Sequence, residues 1–271
     1  MFADLFGASD ARTVMNTAAC CELLHTVSLI HDDVIDDAKT RKGRRAANTV
    51  WGNRSAVIMG DHFFVLAYTL LIKQRDFRVL DLYVDTCRAL AEGIMMEIGN
   101  VRNIDVSIES HLDIISHKTA GFFKTAALVG GHIAGANVEQ EKHLEQFGLN
   151  FGLAFQLSDD MLDLFAESKA TGKHRGADLM GGIYTVPVIH ALNESGEFKN
   201  RFLPSLIEDS LTPEKIDEIA LYLRNNGAFD FSLGLVKHYG KKALEHLAEL
   251  SEGKANDSFR ILTEKIIERE Y

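Results

Sequence analysis

His31–Arg45 reads HDDVIDDAKTRKGRR. Asp32, Asp33, Asp36 and Asp37 are followed at once by Lys39, Arg41, Lys42, Arg44 and Arg45. The residues before them, Cys21–Ile30, are mostly apolar and contain no Gly or Pro, so the acids fall at the end of a helix. On that helix Asp32 and Asp36 share a face, about 6 Å apart along the axis. Like charges at this spacing cost a helix about 0.2–0.5 kcal/mol, and aspartate is a poor helix former. A hard divalent cation offsets that cost. Mg²⁺ takes carboxylate oxygens and completes its shell with water and phosphate oxygens. The basic run beyond can hold the same phosphates through charge-assisted hydrogen bonds. Taken alone, the stretch also fits a solvated helix end beside a basic loop.

The bulk properties narrow the setting. The chain has 271 residues, 46% hydrophobic and 25% charged, which suits a globular protein with a sizeable core. Only three prolines, Pro187, Pro204 and Pro213, interrupt it, which favours long helices. A formal charge of −10 argues against nucleic acid as a partner. Cys20, Cys21 and Cys87 have no metal-ligand spacing and read as small core residues of a reducing compartment, so a cytoplasmic location is expected. No unbroken apolar run reaches the ~18 residues of a membrane span, and no signal peptide is evident.

Apolar spacing predicts helices over 11–36, 48–74, 77–101, from Ser110 to the glycines at 130–135, and over 139–165. A polar loop spans 167–182. Shorter helices follow over 185–193, 198–208, 213–225, 229–250 and 257–269, with Thr212 capping the one that starts at Pro213. No alternating strand pattern occurs, so an all-α single domain is expected.

A second acidic cluster decides the reading. Phe155–Asp163 reads FQLSDDMLD, and Asp159, Asp160 and Asp163 repeat the spacing of Asp32, Asp33 and Asp36. It too ends an apolar helix and precedes a basic loop, with Lys169, Lys173, His174 and Arg175. Two facing aspartate clusters suit a polymetal site for a diphosphate. Metal stabilises the leaving anion, and apolar walls keep water from the carbocation left behind.

These segments carry a resemblance. LLHTVSLIHDDVIDD with TRKG after it, SHKTAGFF, and FGLAFQLSDDMLD with ATGKHRGADL and TVPVI resemble, in order, the trans-prenyl (polyprenyl) diphosphate synthases, of long-chain type such as octaprenyl diphosphate synthase. The resemblance implies an isoprenoid-synthase-type helical bundle around a deep apolar cavity, usually dimeric. It implies condensation of isopentenyl diphosphate with an allylic diphosphate, farnesyl or geranylgeranyl, to a longer trans-polyprenyl diphosphate. It also implies three Mg²⁺ ions with bound diphosphate, a homodimer, and transient membrane contact for product release.

By position, Asp32, Asp36 and Asp159 would bind Mg²⁺, with Asp33, Asp160 and Asp163 supporting them or binding through water. Arg41, Lys42, Lys118, Thr119, Gln156 and Lys173 would hold the allylic substrate. Lys118, Thr119 and Gln156 carry the catalytic roles, Thr119 and Gln156 near the reacting carbon. His25 would contact isopentenyl diphosphate. Val27 and Ser28, which are not aromatic, would leave the tail cavity open, which favours a long product.

The chain also departs from that family. A Gly-Lys-x-x-Arg-Pro-like segment expected upstream of the first motif has no counterpart, so residues 1–271 look like a synthase domain without its first N-terminal helices. Lys42 replaces an arginine, Ile183 a lysine and Glu97 a glutamine. A non-catalytic subunit of a heteromeric synthase is one alternative. A class I terpene cyclase is another, opposed by the second aspartate motif.

Overall fold

The computed structural model describes residues 1–8, 10–166, 175–208 and 210–271. Contacts group the chain into two compact units, Met1–Val84 with Val129–Ala136, and Asp85–Leu128 with Asn137–Tyr271. The fold is all-α, as the sequence predicts, apart from one small hairpin.

The first unit is built on α1 (Ala11–Ile35). Asp10 caps it, accepting hydrogen bonds from the backbone N–H groups of Arg12 and Thr13. Thr17, Cys20, Leu24, Val27, Ile30 and Asp33 are its buried residues, at spacings of three and four. β1 (Thr40–Arg41) and β2 (Arg44–Arg45) form an antiparallel hairpin within the expected basic loop. The helix expected over 48–74 is two helices, α2 (Ala47–Trp51) and α3 (Asn53–Gln74). Gly52 separates them at φ 81° and ψ 155°, a backbone shape that ends a helix. α3 packs along α1, closely enough that a Cβ at Gly60 would lie 2.2 Å from His31 Nε2.

α1 and α3 are each long and apolar enough to cross a membrane by length and composition, with 22% of each apolar window buried inside the chain. A search for an unbroken apolar run misses them because polar residues such as His25 and Asp61 interrupt both.

α4 (Phe77–Gly99) and α6 (Gly121–Ile133) have residues in both units. The second unit adds α5 (Ile108–Ile115), a π-helical turn at Ser116–Ala120, and α7 (Val138–Phe165). It continues with α8 (Ala177–Gly181), α9 (Val186–Glu194), α10 (Gly196–Ile207), α11 (Pro213–Asn225), α12 (Ala228–Ala248) and α13 (Lys254–Ile267). α7 is the central helix and packs chiefly on α12. Its N-terminus is closed by a reciprocal pair in which Asn137 and Gln140 each accept the other's backbone N–H. Thr212 caps α11, accepting the backbone N–H of Lys215 as expected. Leu157 and Met161 of α7 are almost fully buried in one core with Phe198, Phe202 and Ile189.

Candidate active site

The end of α1 carries the first aspartate run. Asp32 is half-buried, Asp36 is exposed as the C-cap, and both sit where the helix dipole is already negative. The electrostatics at this terminus therefore favour a cation. Asp33 turns the other way and is 3% exposed. Its carboxylate accepts Arg41 Nε at 2.7 Å, and its carbonyl accepts Asn48 Nδ2 at 2.8 Å. Asn48 also donates to the Ala38 carbonyl.

These bonds fold the hairpin back onto α1. The hairpin turns at Lys42 (φ 49°) and Gly43 (φ 75°), both left-handed as a two-residue type I′ loop requires. Lys42 is exposed at its tip. On α1 itself His25 is exposed, Val27 is buried, and half-buried Ser28 donates its hydroxyl to the His25 carbonyl.

The second run lies at the end of α7. Asp160 is 4% exposed and accepts two side-chain hydrogen bonds, from His111 Nε2 at 2.9 Å and from Gln156 Nε2 at 2.8 Å. Gln156 Oε1 in turn accepts the Thr119 hydroxyl at 2.8 Å. Lys118 Nζ donates to Glu97 at 2.7 Å. Lys118 and Thr119 both belong to the π-helical turn, a wide turn that often marks functional sites. The turn and the start of α6 meet α7 at its glycines. A Cβ at Gly152 would lie 2.5 Å from the Ala120 Cα, and one at Gly148 would lie 2.6 Å from the Lys124 Cα. Gly148, Gly152 and Gln156 share one face of α7, so the close approach brings Gln156 against Thr119.

Asp159 points to the C-terminal segment. It accepts Arg269 Nη1 at 2.9 Å, and Ser158 Oγ accepts both Arg269 Nη1 and the Tyr271 hydroxyl. Burial pushes the Asp159 carboxyl above its ordinary value, and Arg269 opposes that shift. Asp163 accepts the backbone N–H groups of Ala177 and Asp178 at the start of α8. Lys173 lies outside the described residues.

Asp178 completes the acidic group. Its carboxyl is pushed well above the ordinary 3.8, first by burial and then by Asp163, Asp160 and Glu97, against the pull of Lys118. Being raised, it favours the folded state fully below the unfolded value, and that contribution is lost as pH rises through the folded one. In chelator-containing buffer, the Tm of an Asp178→Asn variant should match the parent below pH 3.8 and exceed it increasingly as pH rises above that value. Parallel melting curves would rule this out.

Among the described residues no three Asp, Glu, His or Cys side chains converge on one point closely enough to hold a metal ion alone. The donor chemistry nevertheless fits Mg²⁺ bound jointly with a phosphate ligand. Within the first unit Asp32 and Asp36 supply hard oxygens one helical turn apart; within the second, taken by itself, Asp159 already accepts a cation, the Arg269 guanidinium.

The polyprenyl synthetase family description matches residues 1–223. The chain belongs to the polyprenyl synthetase family. It is 32% identical to octaprenyl diphosphate synthase of Haemophilus influenzae over 94% of its length and 79% of the relative's. It is 31% identical to a short chain isoprenyl diphosphate synthase of Methanothermobacter thermautotrophicus, over 97% and 82%. Among solved structures, a polyprenyl synthase from Caulobacter crescentus complexed with calcium and isoprenyl diphosphate aligns with a TM-score of 0.92. The two are 31% identical, over 100% of this chain and 82% of that one. The chain is thus a prenyltransferase of the trans-prenyl synthase type.

Within the second unit the structure links Thr119, Gln156 and Asp160 by hydrogen bonds and pairs Lys118, on the same turn as Thr119, with Glu97. Within the first, it places Asp33 and Arg41 in one ion pair. Sequence reading passed over His111, Asp178 and Arg269. A lone histidine in α5 and an arginine near the chain end carry no motif, while Asp178 was legible as a fourth acid beside the second run.

Proposed function

We propose that this prenyltransferase condenses isopentenyl diphosphate with farnesyl or geranylgeranyl diphosphate to give a long trans-polyprenyl diphosphate. The observation that carries the reading is the linked set Thr119–Gln156–Asp160 beside Asp159, with Lys118 on the same turn. Relatives of near-equal identity are named for long and short products, so the proposed chain length rests on Val27 and Ser28, neither of them aromatic.

In the proposed site each aspartate run, at the end of its own apolar helix, supplies carboxylates for the metal-bound diphosphate. Asp32, Asp36 and Asp159 would hold Mg²⁺, three ions with the bound diphosphate, and Asp33, Asp160 and Asp163 would orient the ligand carboxylates. Mg²⁺ held there would supply charge neutralisation of the diphosphate leaving group. Arg41 and Lys118 leave their carboxylate partners, Asp33 and Glu97, to grip the allylic diphosphate. Lys42, exposed at the tip of the two-residue turn, adds charge there, and Lys173 is assigned the same role from its motif. His25 contacts isopentenyl diphosphate. Thr119 and Gln156 place oxygen atoms beside the carbon that loses diphosphate.

The protein acts as a homodimer. Ile58, Val65 and Ile72 form a stripe at seven-residue spacing on α3, and each is at least 60% exposed. An isologous contact with a second copy would cover this stripe. The free cysteines suit the cytoplasm, with transient membrane contact as the exit for an apolar product.

The deciding experiment supplies purified protein with Mg²⁺, labelled isopentenyl diphosphate and farnesyl diphosphate, and reads product length by chromatography. A labelled product beyond geranylgeranyl diphosphate is expected. Release of product no longer than that would overturn the chain-length reading. No product, with farnesyl diphosphate still bound, would overturn the condensing role. Light scattering should give the mass of two chains, and that of one chain for an Ile58→Glu, Val65→Glu double variant.

A further inference from the structure

His111 has no part in the roles assigned above. It sits in α5, 5% exposed, between Ser107, which caps the helix, and the buried pair Ile114 and Ile115. Its Nε2 lies 2.9 Å from Asp160 Oδ2. The other oxygen, Oδ1, accepts Gln156 Nε2, and Gln156 Oε1 accepts the Thr119 hydroxyl.

With Asp160 ionised, one order of donors along this chain satisfies every bond. A carboxylate has acceptor atoms only, so the imidazole must present N–H to Oδ2 and the amide must present NH₂ to Oδ1. With Nε2 committed to Asp160, Oε1 must face Thr119. Thr119 then gives its one proton to Oε1, and its lone pairs point away from Gln156. Without the imidazole, Asp160 would be held from one side, free to turn about its terminal torsion. The amide could then flip, and the hydroxyl could reverse.

We infer that His111 is a positioning residue that fixes, through Asp160, the orientation of the Gln156 amide and the direction in which Thr119 presents its lone pairs. The inference rests on the reading of Thr119 and Gln156 as groups beside the reacting carbon. Burial alone would demand only some hydrogen bond at His111. Positioning demands a donor at the place of Nε2. Glutamine puts its amide nitrogen about as far from Cβ as that atom, and asparagine stops one bond short.

The test therefore compares His111→Leu, His111→Gln and His111→Asn by kinetics and by side-chain amide NMR of metal-free protein. The Gln156 amide signal is assigned by its loss in Gln156→Leu. The parent should show a slowly exchanging Gln156 amide. His111→Leu and His111→Asn should lose that protection and drop kcat by about 10- to 100-fold, the usual size for groups that orient others, with KM for isopentenyl diphosphate unchanged. His111→Gln should keep the protection and recover most of kcat.

Equal behaviour of the glutamine and asparagine variants would overturn the inference, as would an unchanged amide or kcat in the leucine variant. Should the leucine variant fail to fold, the glutamine and asparagine pair decides. Should the parent chain condense no prenyl substrate, the functional reading falls, and the amide signal still decides whether His111 orients Gln156.

Discussion

Asp159→Ala should lower Mg²⁺-dependent kcat/KM by about a thousandfold or more, and Asp32→Ala should do the same. Loss of one preorganised group that stabilises developing charge costs about 10²–10³, and a metal ligand does this while also placing the ion. A thousandfold loss corresponds to about 4 kcal/mol of transition-state stabilisation. The fold should survive both changes. Asp32 is half-buried on α1, and Asp159 has a carboxyl whose ionisation burial disfavours. Removing Asp159 takes away the Arg269 counter-charge, but that side chain keeps its bond to Ser158, is 37% exposed and can turn to water.

Asp33→Asn offers the contrast. Asp33 is buried and anchors the hairpin through Arg41, so its replacement should lower Tm as well as turnover. Circular dichroism melting separates the two cases, and titration of Mg²⁺ at fixed substrate shows where the lost activity went. Turnover of Asp159→Ala within tenfold of the parent would remove Asp159 from the metal set.

The sequence made the long helices legible because their apolar residues recur at three and four, and because only three prolines interrupt them. It made the acidic runs legible because four aspartates at a helix C-terminus are locally unfavourable and so demand a reason. What it hid are features with no composition signal. The hairpin at Thr40–Arg45 has two-residue strands inside a basic run, and its turn is Lys42–Gly43 rather than the commoner Asn-Gly. Gly52 breaks a helix without a proline nearby. The π-helical turn at Ser116–Ala120 is a slip in hydrogen-bond register that no residue type announces. Helix periodicity puts Asp33 on the buried face of α1, three residues after Ile30, but it could not reveal that Arg41 returns to pair with it. Asp160 is legible as an acid. Its two bonds, to His111 and Gln156, depend on tertiary packing.

Gly152→Val should be the most disruptive single change in the second unit. The backbone of the π-helical turn passes so close to α7 that even a Cβ at Gly152 would lie 2.5 Å from the Ala120 Cα and 2.9 Å from its Cβ. Both are atoms of a fully buried residue that cannot rotate aside. The branched side chain adds two more carbons in the same gap. Overpacking of this kind costs about 1–3 kcal/mol and more where backbone must move, and here it must.

The movement has a defined consequence for chemistry. Ala120 follows Thr119 directly, and Gln156 lies one turn beyond Gly152 on the same face. Parting the turn from α7 by even 1 Å would stretch the Thr119–Gln156 bond from 2.8 Å past the range in which it holds. The variant should therefore lose stability and, in whatever fraction stays folded, lose kcat through Thr119. Gly152→Ala should show a smaller version of both effects. Chemical denaturation gives the stability change, and active-site titration with a labelled allylic diphosphate gives kcat per folded molecule. If Gly152→Val melted with the parent and turned over at the parental rate, α7 and the π-helical turn could not approach as closely as described. The short path from Thr119 to Asp160 would then fail with them.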